Sequence, residues 1–112
     1  MDAFLDIGLV HFLVLSMAVA AAGISTILTK RNAIGILIGV ELLLNAAGLN
    51  LVAFNRYAWP TAGGQPAIDG IMFTVFLIVL AASEAAVALS IFLNFYNTFR
   101  SVDVEDANQL RG

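Results

Sequence analysis

The stretch Leu37-Ile38-Gly39-Val40-Glu41-Leu42-Leu43-Leu44-Asn45-Ala46 places one acid among nine uncharged residues. It lies inside a longer apolar run, 33–54, broken only by Glu41, Asn45 and Asn50. Coiled as a helix at 1.5 Å per residue, that run spans about 33 Å, enough to cross a hydrocarbon core of about 30 Å. A run over 7–29 precedes it, and another over 70–96 follows it, the latter carrying Ser83, Glu84, Ser90 and Asn94. The connection 30–32, Lys30-Arg31-Asn32, is a short polar turn. The stretch 55–69 holds Pro60, Pro66 and Gly63-Gly64 and reads as a loop. The sequence therefore predicts an all-α membrane protein with three transmembrane helices, about 7–29, 33–54 and 70–96. They form a single membrane domain over 1–112 that ends in a short polar tail, 100–112.

Composition agrees with this pattern. Of 112 residues 61% are hydrophobic and 12% charged, about half the charged share of an ordinary soluble domain. A soluble chain this short needs more polar residues to cover its surface. The first run is too long for the apolar region of a signal peptide, and no Lys or Arg precedes it, so it is expected to be a retained helix. With no cysteine and a single histidine, His11, the chain offers no thiolate chemistry, no disulfide, no iron–sulfur ligation and no His-based metal site. A net charge of −3 without a basic patch argues against nucleic acid as a partner. The lipid bilayer is the expected surroundings.

Orientation follows from the basic residues. Three spans put the first turn and the C-terminal tail on one side, which collects Lys30, Arg31, Arg100 and Arg111 and leaves only Arg56 on the other. The positive-inside rule then places the N-terminus outside and the C-terminus inside. Tyr57 and Trp59 fall where an outer aromatic belt is expected, and Tyr96 and Phe99 suit the inner one. Asp69 is positioned to cap the third helix.

Glu41 and Glu84 are the residues that could carry chemistry. Glu41 lies about ten residues beyond Arg31, some 15 Å deep, and Glu84 about fourteen from Gly70, so both reach the middle of the bilayer. A charge there costs about 2.5–3.5 kcal/mol on insertion scales. Removing a carboxylate from water disfavours its charged form, which suits a group that must take up and release protons. The plain structural alternative is a neutral glutamate that only hydrogen-bonds a neighbouring helix. Two at similar depth on consecutive helices weaken it. Asn45, one turn after Glu41, shares its face with Gly48 and is a supporting group. Helix axes stand about 8–10 Å apart, so the two carboxyls are expected to need water or a partner's side chain between them. Gly35-x-x-x-Gly39 is a close-packing motif of membrane helices. The alanines at 81, 82, 85, 86 and 88 make a narrow surround for Glu84. Three helices cannot enclose two such groups, so other membrane subunits are expected to complete the site.

At these residues the chain resembles the subunit K family of bacterial complex I, the proton-pumping NADH:quinone oxidoreductase, called subunit 4L in mitochondria. The matching stretches are Arg31-Asn32-Ala33, 37–46, Asn50-Leu51-Val52-Ala53-Phe54, Phe73-Thr74-Val75-Phe76, Ala81-Ala82-Ser83-Glu84-Ala85-Ala86 and Leu110-Arg111-Gly112. The resemblance covers nearly the whole chain. It departs in a longer second loop, with Gly64-Gln65 further from the third helix, and at Gly48 and Ala88, where the family commonly has asparagine and glycine. What the resemblance implies is a non-redox membrane-arm subunit in which Glu41 and Glu84 belong to a chain of ionisable residues serving proton translocation. NADH, FMN, iron–sulfur clusters and quinone would then be bound by other subunits, and this chain would hold no cofactor and no metal. Its neighbours would be antiporter-like subunits and the small J- and A-type subunits. Its place would be the inner (plasma) membrane, or an energy-transducing organelle membrane. The nearest rival is the small C subunit of a multisubunit sodium/proton antiporter. A small drug exporter fits less well, because that class expects four spans and a glutamate in its first helix.

Overall fold

The computed structural model describes residues 6–58, 68–100 and 102–105. These form three helices: α1, Leu9–Thr29; α2, Ala33–Tyr57; and α3, Asp69–Phe99. All three are long and apolar enough to cross a membrane. The apolar runs understate α2 and α3 by a few residues, because the helical backbone continues past the last apolar side chain into the interface. Trp59, both prolines, Gly63-Gly64 and the tail beyond Glu105 lie outside the described residues.

Hydrocarbon offers no hydrogen bonds, so a crossing segment must satisfy its own backbone, and a helix does so within itself. The hydroxyls follow the same rule. Thr26, Thr29, Thr74, Ser83, Ser90 and Thr98 each donate to the carbonyl four residues back. At the start of α1 the Gly8 N–H donates to His11 Nδ1 at 3.2 Å, which leaves the exposed His11 a local partner.

Packing places α2 in the middle, with α1 against one face and α3 against another. The molecule is a slab of 61 × 34 × 18 Å, thinner than two stacked helices with their side chains, about 20–24 Å. α1 and α2 cross at Gly23 and Gly39. A Cβ on Gly39 would stand 2.7 Å from the Gly23 carbonyl oxygen, and one on Gly23 would stand 2.8 Å from the carbonyl oxygen of Gly39. Gly39 thus serves the close packing expected of its motif, with Gly23 as its partner, whereas Gly35 sits against the Lys30 side chain. Ser16, 3% exposed, donates across the same interface to Asn50 Oδ1 at 2.5 Å. At the end of the seam nearest the α1 N-terminus Phe12 stacks on Tyr57, ring centroids 5.8 Å apart.

The α2–α3 seam is looser. Gly48 faces Thr74 and Leu77 at ordinary contact distance. The expected cap at Asp69 is corrected here. Ile68 holds the cap position without a side-chain bond, and Asp69 is already helical. Its acid still sits favourably in the first turn. The acceptor comes from α2 instead: Asn55 Oδ1 takes the Gly70 N–H at 3.0 Å.

The chain past α3 folds back on itself. Arg100 adopts a left-handed backbone, φ 59°, at the helix end. The next described residues pair with the α1–α2 turn, Ala33 N–H to the Val102 carbonyl at 2.9 Å and Val104 N–H to the Arg31 carbonyl at 3.3 Å. Asn32 caps α2 through Ile34 N–H at 2.8 Å, and Arg31 ion-pairs with Asp103 and Glu105.

The two glycine environments predict opposite outcomes for one change. Gly39→Ala puts a methyl into rigid backbone and should lower the thermal midpoint of the chain in lipid nanodiscs, by an overpacking cost of about 1–3 kcal/mol. Gly48→Ala meets only the ends of side chains and should leave that midpoint nearly unchanged. Equal effects at both sites would contradict the crossing.

Candidate functional site

The capping bond between Asn55 and Gly70 fixes how α2 and α3 lie beside each other. Fourteen residues back along α2 from Asn55 is Glu41, and fourteen on along the antiparallel α3 from Gly70 is Glu84. The two glutamates therefore stand at one depth. Lower contacts keep the same register, since Ile34 shares a crevice with Leu89, Phe92 and Tyr96.

The two differ in surroundings. Glu41 is half-buried, and its Oε1 is fully buried without a hydrogen-bond partner among the described residues. An unsatisfied buried acceptor costs about 1–3 kcal/mol, so the site is unfinished in the single chain. Glu84 is exposed. It flanks the half-buried stripe Thr74, Leu77, Ala81, Ala85 and Ala88 that faces α2. Its carboxylate has no partner among the described residues, and no bond joins it to Glu41.

Asn45 is exposed one turn from Glu41. It opens onto a crevice of about 270 Å³ between α2 and α3, with Gly48, Thr74 and Ala81 among its walls. Asn45 and Gly48, two of the three residues anticipated on one face, both line this crevice. Among the described residues no three His, Cys, Asp or Glu side chains gather, so the arrangement offers two separate carboxyls, not a metal cage. The Ser16–Asn50 bond, the Asn55 cap and the tail pairing were not legible in the sequence. An intramembrane polar residue signals that a partner exists but not which one.

A slab of three membrane helices with an acid at mid-depth on each of two neighbours, both unfinished, is the form of a component of a larger membrane assembly. Comparison with known proteins gives the family. Residues 11–112 match the family model described as NADH-ubiquinone/plastoquinone oxidoreductase chain 4L. The NADH-quinone oxidoreductase subunit K of Chlorobaculum parvum is 46% identical over 99% of both chains. The NAD(P)H-quinone oxidoreductase subunit 4L of a Nostoc species is 46% identical over 90% of this chain and 95% of its own. The subunit K of Geobacillus kaustophilus is 40% identical over 89% and 94%. The chain belongs to the chain 4L, or subunit K, family of NADH-quinone oxidoreductases. It is a membrane subunit of an oxidoreductase complex, with that complex's other subunits as partners. These relatives are all named as oxidoreductase subunits, which favours this reading over an antiporter.

Because Glu84 reaches the surface of the isolated chain unpartnered, Glu84→Leu should favour membrane insertion of that chain by about 2.5–3.5 kcal/mol, read as the inserted fraction in a translocon assay. Reduced insertion would mean that the carboxyl is paired within the chain.

Proposed function

We propose that this subunit passes protons sideways within the membrane, between Glu41 and Glu84, as part of proton translocation coupled to quinone reduction. The observation that carries the proposal is their common depth. A proton moved between groups at one depth crosses no part of the membrane potential, which is worth about 2.3 kcal/mol per charge per 100 mV. Such a step needs no electrical work and can run in either direction. The transmembrane work then belongs to neighbouring subunits, and this chain forms a lateral link.

The unfinished state of both sites supports this role. Glu41 Oε1 is buried without a donor among the described residues, and Glu84 presents its carboxyl to whatever covers α3. A proton leaves one carboxyl oxygen for a bridging hydrogen-bond partner, and the second carboxylate takes one up at the far end of the bridge. Asn45 holds a donor and an acceptor beside the path and orients the bridge without titrating. NADH, FMN, iron–sulfur clusters and quinone are proposed to bind to other subunits, since a chain without cysteine supplies no cluster ligands. The neighbours would be antiporter-like, J-type and A-type subunits in a bacterial inner membrane, with the N-terminus outside.

Glu41→Gln and Glu84→Gln keep shape and hydrogen bonding but cannot titrate. The complex should assemble with each. Glu41→Gln should lose about a hundredfold or more in quinone-linked turnover and pumping, with a smaller loss for Glu84→Gln and partial activity for either Asp variant. Normal pumping by the double Gln variant at normal assembly would end the relay reading. Orientation is tested separately by thiol labelling of Asp2→Cys and Gln109→Cys in sealed vesicles. They should react from opposite sides, and reaction from the same side would refute three spans.

A further inference from the structure

The depth match between Glu41 and Glu84 depends on the α2–α3 register, and the seam itself specifies that register weakly. Its α3 side is the stripe Thr74, Leu77, Ala81, Ala85 and Ala88, and its α2 side includes Gly48 in ordinary contact distance of Thr74 and Leu77. Small side chains repeating at helical spacing pack almost equally well after a slip of one turn, about 5.4 Å, and such a slip would take the two carboxyls out of level. The tail bonds of Ala33 to Val102 and of Val104 to Arg31 tie α3 to α2 at one end of the seam, and at the other end something else has to hold the register.

Asn55 is 8% exposed, and its Oδ1 accepts from the Gly70 N–H at 3.0 Å in a buried bond. The first-turn amides of a helix are its only backbone donors without helical partners. From Met72 onward the N–H groups of α3 are committed, beginning with Met72 to the Ile68 carbonyl at 2.9 Å. An acceptor fixed on α2 therefore has only the amides of 69, 70 and 71 to choose from, and a slip by a turn leaves it facing none. Thr74 adds little, because its hydroxyl donates to Gly70 at 2.7 Å and lies 3.4 Å from the Gly48 carbonyl. We infer that Asn55 is a positioning residue: its side chain, capping α3 from α2, pins the register that holds Glu41 and Glu84 at one depth. The consequence for activity rests on the relay reading above, while the pin itself is a statement about register.

Two measurements on the assembled complex test it. In the unaltered protein, hydrogen exchange resolved to single amides should show Gly70 protected at least about tenfold over Asp69 and Ile71, which are first-turn amides without the cap. Next, Leu44→Cys and Ala81→Cys, which line one crevice between α2 and α3, report register by disulfide formation. Crosslinking should be efficient in the parent. It should fall several-fold with Asn55→Leu and return with Asn55→Asp, which keeps an acceptor in place. In the same variants without the cysteines, the ratio of protons pumped to electrons transferred should fall and return in parallel. Gly70 exchanging as fast as its neighbours, undiminished crosslinking with Asn55→Leu, or an Asp variant that behaves like Leu would each overturn the pin. Lost crosslinking with an unchanged pumping ratio would leave Asn55 as the pin and remove the relay reading. If Asn55→Leu does not assemble, the exchange pattern and the Asp variant still decide.

Discussion

Hydrocarbon gives a polar group nothing to bond to, and every feature of this chain answers to that fact. The backbone coils into helices because only then are its N–H and C=O groups paired inside each span. Six hydroxyls fold back onto carbonyls of their own helix. The polar groups that cannot be satisfied locally reach across: Ser16 to Asn50 between α1 and α2, and Asn55 to Gly70 between α2 and α3. Apolar contact drives helix association weakly in a membrane, because lipid tails are as apolar as leucine. Close glycine packing and these few cross-helix bonds therefore set the geometry out of proportion to their number.

Against that background the two glutamates stand apart as groups the chain leaves unfinished. Glu41 has a buried oxygen with no donor, and Glu84 lies on an exposed flank. The thinness of the slab, 18 Å in its shortest extent, accounts for both. A row of three helices has two broad open faces and no interior in which a pair of carboxyls could be enclosed. Large apolar residues lie exposed along α3, among them Phe73, Phe76, Ile78 and Leu93, where lipid or neighbouring subunits can cover them. The chain is shaped to be a layer between other parts, which suits membership in a family of membrane subunits.

The end of the slab that holds the α1–α2 turn is fastened differently from its middle. There the tail returns through a left-handed residue at Arg100 and pairs with the α1–α2 turn, giving the first amide of α2 an acceptor and Arg31 two acidic neighbours. Exposed ion pairs contribute only about 0–1 kcal/mol, so the backbone bonds and the Asn32 cap carry more of this closure than the charges do. α2 and α3 are thus tied on both sides of the level that holds Glu41 and Glu84, by the tail below and by Asn55 above.

Much of this was legible in the sequence. Three apolar runs of membrane length dictate three helices, since only a helix satisfies the backbone of a single span within itself in lipid. An acid in the middle of two of those runs marks Glu41 and Glu84, because placing it there is costly unless water or a partner meets it. The close approach at Gly39 could be suspected from glycine spacing. Partners and registers could not. Asp69 read as a cap, while the bond that ties off α3 comes from Asn55, fifteen residues earlier on another helix. Ser16 lies thirty-four residues from Asn50, and the tail finds Arg31 from the far end of the chain. Sequence determined which groups must find partners and how deep each sits, because depth follows from counting residues along a helix. Only the tertiary structure decided which partners they find and which residues of α2 and α3 lie side by side, because the lateral register of apolar helices leaves no periodic trace and rests on a few bonds between distant residues.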